Sequence, residues 1–220
     1  MEGGTLYLTV ERDSGFDLFL FFTESDSRLD IVLPKAYTGG LALDTSAGST
    51  GLTGINLSGE LTMNCNAGHL SLNNVACGSF RLDANAGKHS LQNLNVRGEA
   101  FIDTNAGSIE GISAGTLSLN GNAAELSLAQ VSSNLTLTGT AATFHIVYES
   151  VTGGVLMDCN ASTVTLEIPA GAPVQLKDNT NRSSHVNDSV NWTAGGTQMQ
   201  EAKYTIELNG NATTYNIGTT

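Results

Sequence analysis

The sequence predicts an all-β parallel β-helix, a solenoid or prism of about seven 17–20-residue coils with capping strands at both ends. Three observations carry that expectation: a recurring tripeptide, a period-two apolar frame around it, and a composition unsuited to helices. The tripeptide occurs seven times, as Ser46-Ala47-Gly48, Asn66-Ala67-Gly68, Asn85-Ala86-Gly87, Asn105-Ala106-Gly107, Asn122-Ala123-Ala124, Thr140-Ala141-Ala142 and Asn160-Ala161-Ser162. Its central alanines are 20, 19, 20, 17, 18 and 20 residues apart. Spacing this regular marks stacked structural repeats.

Each copy sits in a fixed frame. Three and five positions before it the side chain is apolar, as at Leu61 and Met63, Phe80 and Leu82, Leu117 and Leu119, or Leu135 and Leu137. That is the pattern of a strand with one buried face. A second alternation follows the tripeptide, as in Leu70 and Leu72, Leu126 and Leu128, Phe144 and Ile146, or Val164 and Leu166. A third apolar point comes at Ile55, Val75, Leu94, Ile112 and Val131, and then a small turn residue: Gly39, Gly59, Gly78, Gly98, Gly115, Ser133 or Gly153. Each unit reads as two or three short strands joined by tight corners. So short a unit cannot bury its own apolar side, so neighbours must stack on it. At about 4.8 Å per coil, seven coils give a rod of roughly 34 Å.

Composition agrees with this reading. Thr (25), Ser (20) and Asn (20) are abundant, and they are poor residues for a helix interior because of χ1 restriction or competition for backbone hydrogen bonds. Charged residues make up only 14%, whereas 40% of residues are apolar, which excludes a disordered polar tract. The net charge of −12 argues against nucleic acid or an anionic membrane as partner, since both are bound through clustered Lys and Arg.

Along the chain, residues 1–38 alternate (Leu6, Leu8, Val10; Leu18, Leu20, Phe22; Leu29, Ile31, Leu33) without the tripeptide and are expected to be N-terminal capping strands. They would cover strand edges that otherwise invite aggregation. Residues 39–169 carry the repeats. Residues 170–220 are expected to form a polar loop and closing strands, with alternation returning at Tyr204–Leu208 and Tyr215–Ile217, all within a single domain. At the corners, Asn tolerates left-handed backbone and its amide both donates and accepts. Ser46, Asn66, Asn85, Asn105, Asn122, Thr140 and Asn160 are therefore expected to stack as a structural asparagine ladder.

No basic segment followed by an apolar stretch opens the sequence, and the longest apolar run, Leu18–Phe22, is far below the roughly 20 residues that cross a bilayer. An export signal or membrane anchor is thus expected to be absent from this chain.

Two segments carry a family resemblance. Leu29-Asp30-Ile31-Val32-Leu33-Pro34, followed by Leu41-Ala42-Leu43-Asp44-Thr45-Ser46-Ala47-Gly48, looks like the start of the bacterial adhesin-like or toastrack domains, which include the C-terminal part of LiaF-type envelope stress proteins. Leu166-Glu167-Ile168-Pro169-Ala170-Gly171 resembles the second strand-Pro element those domains carry. The resemblance covers roughly residues 27–218. It implies a β-helical domain at the cell surface or otherwise outside the cytoplasm, with no catalytic residues to carry over; a cytoplasmic location is the alternative. The chain departs from the pattern in lacking the corner glycine in repeats five to seven and in its three cysteines.

The sharpest polar feature is the column two positions before the tripeptide: Asp44, Asn64, Asp83, Asp103, Asn120, Thr138 and Asp158. Asp83 and Asp103 fall on adjacent coils, about 5 Å apart at the backbone, with Arg81 on the same face. They are candidates for holding a hard cation such as Ca²⁺, or for the acid/base pair of a polysaccharide lyase or hydrolase. A solvated stripe neutralised in part by Arg81 is the plainer reading. His69, His89 and His145 occupy three different frame positions and His185 lies in the tail, so they form no metal cluster. Cys65, Cys77 and Cys159 lack metal-site spacing and read as buried free thiols; Cys65 and Cys159 lie five coils apart, about 24 Å, too far to bridge. Trp192, Tyr204 and Tyr215 fall outside the repeats and are expected to pack over the end coil.

The expected function is therefore a non-enzymatic extracytoplasmic module, adhesin-like or envelope-signalling, with no cofactor. Its partner would be a protein or surface glycan, with no direct insertion of this chain into a membrane. Exposed end coils would allow an oligomer, without any residue that argues for one. The alternative is a carbohydrate-active enzyme working on the acidic column.

Overall fold

The computed structural model describes residues 5–9, 33, 36–105, 107–110, 112–132, 134–181, 184–190 and 202–220. Among these there are strands and no helix. The chain runs through β1 (Thr5–Thr9), β2 (Gly40–Thr45), β3 (Ser49–Thr53), β4 (Glu60–Cys65), β5 (Gly68–Cys77), β6 (Ser79–Ala84), β7 (Gly87–Thr104), β8 (Gly107–Glu110) and β9 (Ser113–Asn122). It continues through β10 (Glu125–Val131), β11 (Asn134–Thr140), β12 (Thr143–Tyr148), β13 (Val155–Asn160), β14 (Thr163–Ile168), β15 (Val174–Asp178), β16 (His185–Asp188), β17 (Tyr204–Asn211) and β18 (Thr214–Thr219).

Every ladder between these strands is parallel, and together they form two faces meeting at the tripeptide corner. Before the corner stack β1, β2, β4, β6, the second half of β7, β9, β11 and β13. After it stack β3, β5, the first half of β7, β8, β10, β12 and β14. β7 belongs to both faces because the chain rounds the second corner without leaving the ladder. The fold is the parallel β-solenoid that the repeat predicts. From β2 to β13 the chain completes six turns, slightly fewer than the coil number read from the tripeptides.

The apolar frame becomes the core. Leu41, Leu61, Phe80, Ala100, Leu117, Leu135, Val155 and Ile206 stand in one in-register column, all buried. Across the corner a second column runs through Leu70, His89, Ile109, Leu126, Phe144, Val164 and Tyr215. The third apolar points meet as Val75 with Leu94 and Val131 with Tyr148. Continuous apolar contact between coils is what makes each short unit stable.

Two corner designs share the tripeptide. In the early coils the glycine carries the positive φ, 139° at Gly68 and 134° at Gly87, and the backbones approach so closely that a Cβ at Gly87 would stand 1.8 Å from the Gly68 carbonyl oxygen. Only glycine fits there. In the later coils the left-handed residue is instead the central alanine, with φ of 49° at Ala123, 54° at Ala141 and 50° at Ala161. That is why repeats five to seven dispense with the glycine.

The far end corrects the expected order of closure. β17 pairs with β13 and with β15, and β18 pairs with β14 and with β16. The C-terminal coil is thus an inner layer, and the 174–188 segment, read as loop-rich, forms the outermost described coil. Asn211-Ala212-Thr213 is an eighth corner: Asn211 lies in register with Asn160, and Ala212 has φ 52°. The long interval after Ala161 hid this copy from the spacing. Tyr215 consequently lies inside the core, fully buried, rather than over the end. At the other end β1 pairs with β2. The expected capping positions Val10, Leu18, Leu20, Phe22, Leu29 and Ile31, together with Trp192, lie outside the described residues.

Candidate functional site

The ladder forms along the tripeptide corner. Asn85 Nδ2 donates to Asn66 Oδ1 at 2.7 Å, Asn105 Nδ2 to Asn85 Oδ1 at 2.7 Å, and Asn122 Nδ2 to Asn105 Oδ1 at 3.4 Å. Asn85 and Asn105 each spend one donor and one acceptor between coils, which is why Asn suits the position. Ser46, Thr140 and Asn160 occupy the ends of the column and receive backbone bonds there, from the N–H groups of Ala67, Ala123 and Ala141 respectively.

A second ladder escaped the sequence reading. Asn93 Nδ2 donates to Asn74 Oδ1 at 3.1 Å, and both residues are left-handed, with φ of 53° and 54°. Their separation of 19 residues equals the local repeat, the signal that would have found them. Two further amide pairs, Asn179 to Asn209 and Asn187 to Asn216, tie the outermost coil to the C-terminal one, each at 3.1 Å.

The acidic column is aligned in full: Asp44, Asn64, Asp83, Asp103, Asn120, Thr138 and Asp158 pair successively across the ladders. Asp83 and Asp103 are neighbours in it, but Asp83 is engaged. Arg81 Nε donates to Asp83 Oδ2 at 3.0 Å and Nη2 to Oδ1 at 3.2 Å, while the guanidinium lies 4.5 Å from the centre of the Phe101 ring on the next coil. The pair is substantially exposed, so water screens it and its contribution to stability is small. Its effect is to neutralise the stripe at this point. Among the described residues, no group of three or more His, Cys, Asp or Glu side chains is placed to hold a metal ion.

The histidines are dispersed. His145 Nε2 meets Glu167 Oε1 at 3.0 Å on the surface. His89 lies inside the core column at 2% exposure, where burial, assisted by the charge of His69, holds its pKa below the usual imidazole range. All three thiols are free and buried. Burial pushes Cys77 up to about 11 and Cys159 up to about 12, and raises Cys65 as well, so none is a poised nucleophile.

Two concavities lie near the C-terminal end, a cleft lined by Ile168, Pro169, Ala172, Val174 and Val190, and a wider groove lined by Glu167, Asn187, Asp188 and Asn216. Neither is lined by His or Cys, and Ser189, which lines both, donates its hydroxyl to the Ile217 carbonyl. No helix among the described residues is long and apolar enough to cross a membrane.

No curated protein and no solved structure matches the chain. The family described as Toastrack DUF4097 matches residues 1–214, nearly the whole sequence, in agreement with the solenoid and with the resemblance carried by its strand-Pro elements. It is not a known enzyme family. On that match, and on a fold of stacked parallel coils, the chain belongs to the Toastrack family.

Proposed function

We propose that this chain is a non-enzymatic extracytoplasmic module that presents a rigid β-helical face for adhesion-like contact or envelope signalling, to a protein or a surface glycan. The observation that carries the reading is the unbroken register of the face before the corner, from Leu41 to Ile206. Register of that length fixes the outward side chains in rows without needing a ligand or metal. Those rows mix short hydroxyl and amide groups, such as Thr62, Asn64, Ser118, Asn120, Thr136 and Thr138, with the carboxylates of Asp44, Asp83, Asp103 and Asp158. Such a surface offers many hydrogen-bonding groups for contact with a protein or a glycan. Concealment of all three thiols suits an oxidising compartment, where an exposed thiol would react.

Two measurements test the reading. Protease treatment of intact cells should clip the protein, and recovery of the chain only from the cytoplasmic fraction would overturn its location. Incubation with acidic polysaccharides should give no turnover. Turnover that disappears in both Asp83→Ala and Asp103→Ala would establish an enzyme on the acidic column instead.

A further inference from the structure

We infer that His89 is an acid-sensitive joint of the solenoid: protonation of its ring loosens the stack between β5 and β8. The residue occupies an inward position two places after the Gly87 corner, opposite Leu70 on β5 and Ile109 on β8. Other coils fill the equivalent position with Leu126, Phe144, Val164 and Tyr215. An apolar side chain thus satisfies the fold there. Histidine instead brings one donor and one acceptor into an apolar column, and no protein group hydrogen-bonds Nδ1 or Nε2. The hydroxyl of Thr104, also buried on β7, is likewise unbonded by protein. β7 therefore carries all three unbonded buried side-chain N and O atoms found among the described residues.

The surroundings oppose a positive ring. From β5 comes His69, whose charge opposes an imidazolium at this position. The buried Cys65 and Cys77 thiols are held in their neutral forms by desolvation. Asp83 on β6 is bonded to Arg81, and Asp103, on the far half of β7, lies beside Asp83 in the outward row. On β8 the residue in register with it is Ile109. No carboxylate is bonded to it.

The sign follows from proton binding. The closed form holds His89 neutral below its usual range, whereas the opened chain takes up the proton from about pH 6.5 downward. Stability is therefore full above about 6.5 and falls as the pH drops below it. At pH 5.0 the open form takes up the proton more fully than the closed form does, so acid favours opening relative to pH 8.

Hydrogen exchange of the full chain at pH 8.0 and 5.0, corrected for intrinsic rates and run where exchange follows the opening equilibrium, reads this directly. Amides of 87–96 should lose protection several-fold in acid; His89→Leu and His89→Gln should abolish that loss, whereas His69→Gln and His145→Gln should retain most of it. The same loss persisting in a folded His89→Leu or His89→Gln chain would overturn the proposal. If those variants fail to fold, imidazole NMR of the unaltered protein decides. A His89 ring that titrates near 6.5 in the folded state overturns it, and one that titrates clearly below that in the folded state supports it.

Discussion

The Phe144 ring occupies the space that a side chain at Gly139 would need: a Cβ there would stand 2.6 Å from Phe144 Cε2 and 2.7 Å from Cζ. Phe144 is fully buried and cannot swing aside. Gly139→Ala should therefore destabilise the protein by about 1–3 kcal/mol through overpacking. In urea unfolding, a Gly139→Ala/Phe144→Leu double variant should recover part of that loss, and strict additivity of the two changes would count against the contact.

Gly87 should tolerate substitution least. It combines a φ of 134° with the backbone oxygen of Gly68 at 1.8 Å from any added Cβ, whereas Gly171, at φ 77°, has nothing within 4 Å. Gly171→Ala is expected to cost about 1 kcal/mol for its left-handed backbone. Gly87→Ala must in addition push two coils apart and should cost several times more or prevent folding. Comparable melting temperatures for the two variants would contradict this account of the corner.

Asn85 lies in the middle of the amide ladder, donating to Asn66 and accepting from Asn105. The site is exposed, so water replaces much of what is lost on truncation. Asn85→Ala should cost about 1–2 kcal/mol in chemical denaturation with little change in cooperativity. Asn85→Asp keeps the acceptor but not the donor, and is expected to be destabilising at neutral pH and to recover in part when its carboxyl is protonated.

The thiols give a clean chemical test. With Cys77 and Cys159 fully buried and their ionisation pushed to about 11 and about 12, the native protein should leave both unmodified by an aromatic disulfide reagent at pH 8. Unfolding in guanidinium should release three equivalents, one for each cysteine of the sequence. Rapid labelling of Cys77 or Cys159 in the native state would mean that the core opens far more readily than its packing implies.

Deleting residues 204–220 should uncouple the outermost coil. β17 and β18 are the layer through which β15 and β16 reach the rest of the solenoid. The truncated chain is expected to lose exchange protection at 174–188 and to melt at lower temperature. Protection persisting at 174–188 would show that this coil can pair directly with β13 and β14.

The first seven corners were legible because one local unit repeats with little variation, and strand alternation is itself local. Leu61, Phe80, Leu117 and Leu135 could be placed in one column from spacing alone, and register then fixed Asp83 beside Asp103. The Asn66–Asn85–Asn105 ladder followed from the same frame. Asn74 and Asn93 were missed because their left-handed backbone is set by a kink in the coil, which the apolar pattern does not mark.

The sequence by itself determined the class of fold, the inward and outward sides of each strand, and the closeness of successive corners, since each depends on residues a fixed distance apart in the chain. Only the tertiary structure decided that the last coil inserts beneath the 174–188 segment, that Tyr215 is internal, and that Arg81 neutralises Asp83 while stacking on Phe101. The reason is physical. Parallel ladders accept any coil whose inward residues fit, so the order of the final layers is chosen by which apolar surface covers which, and no local pattern records that choice. The solitary histidine in the core belongs to the same category: its frame position was readable, but its lack of a hydrogen-bonding partner emerges only when the coils are stacked.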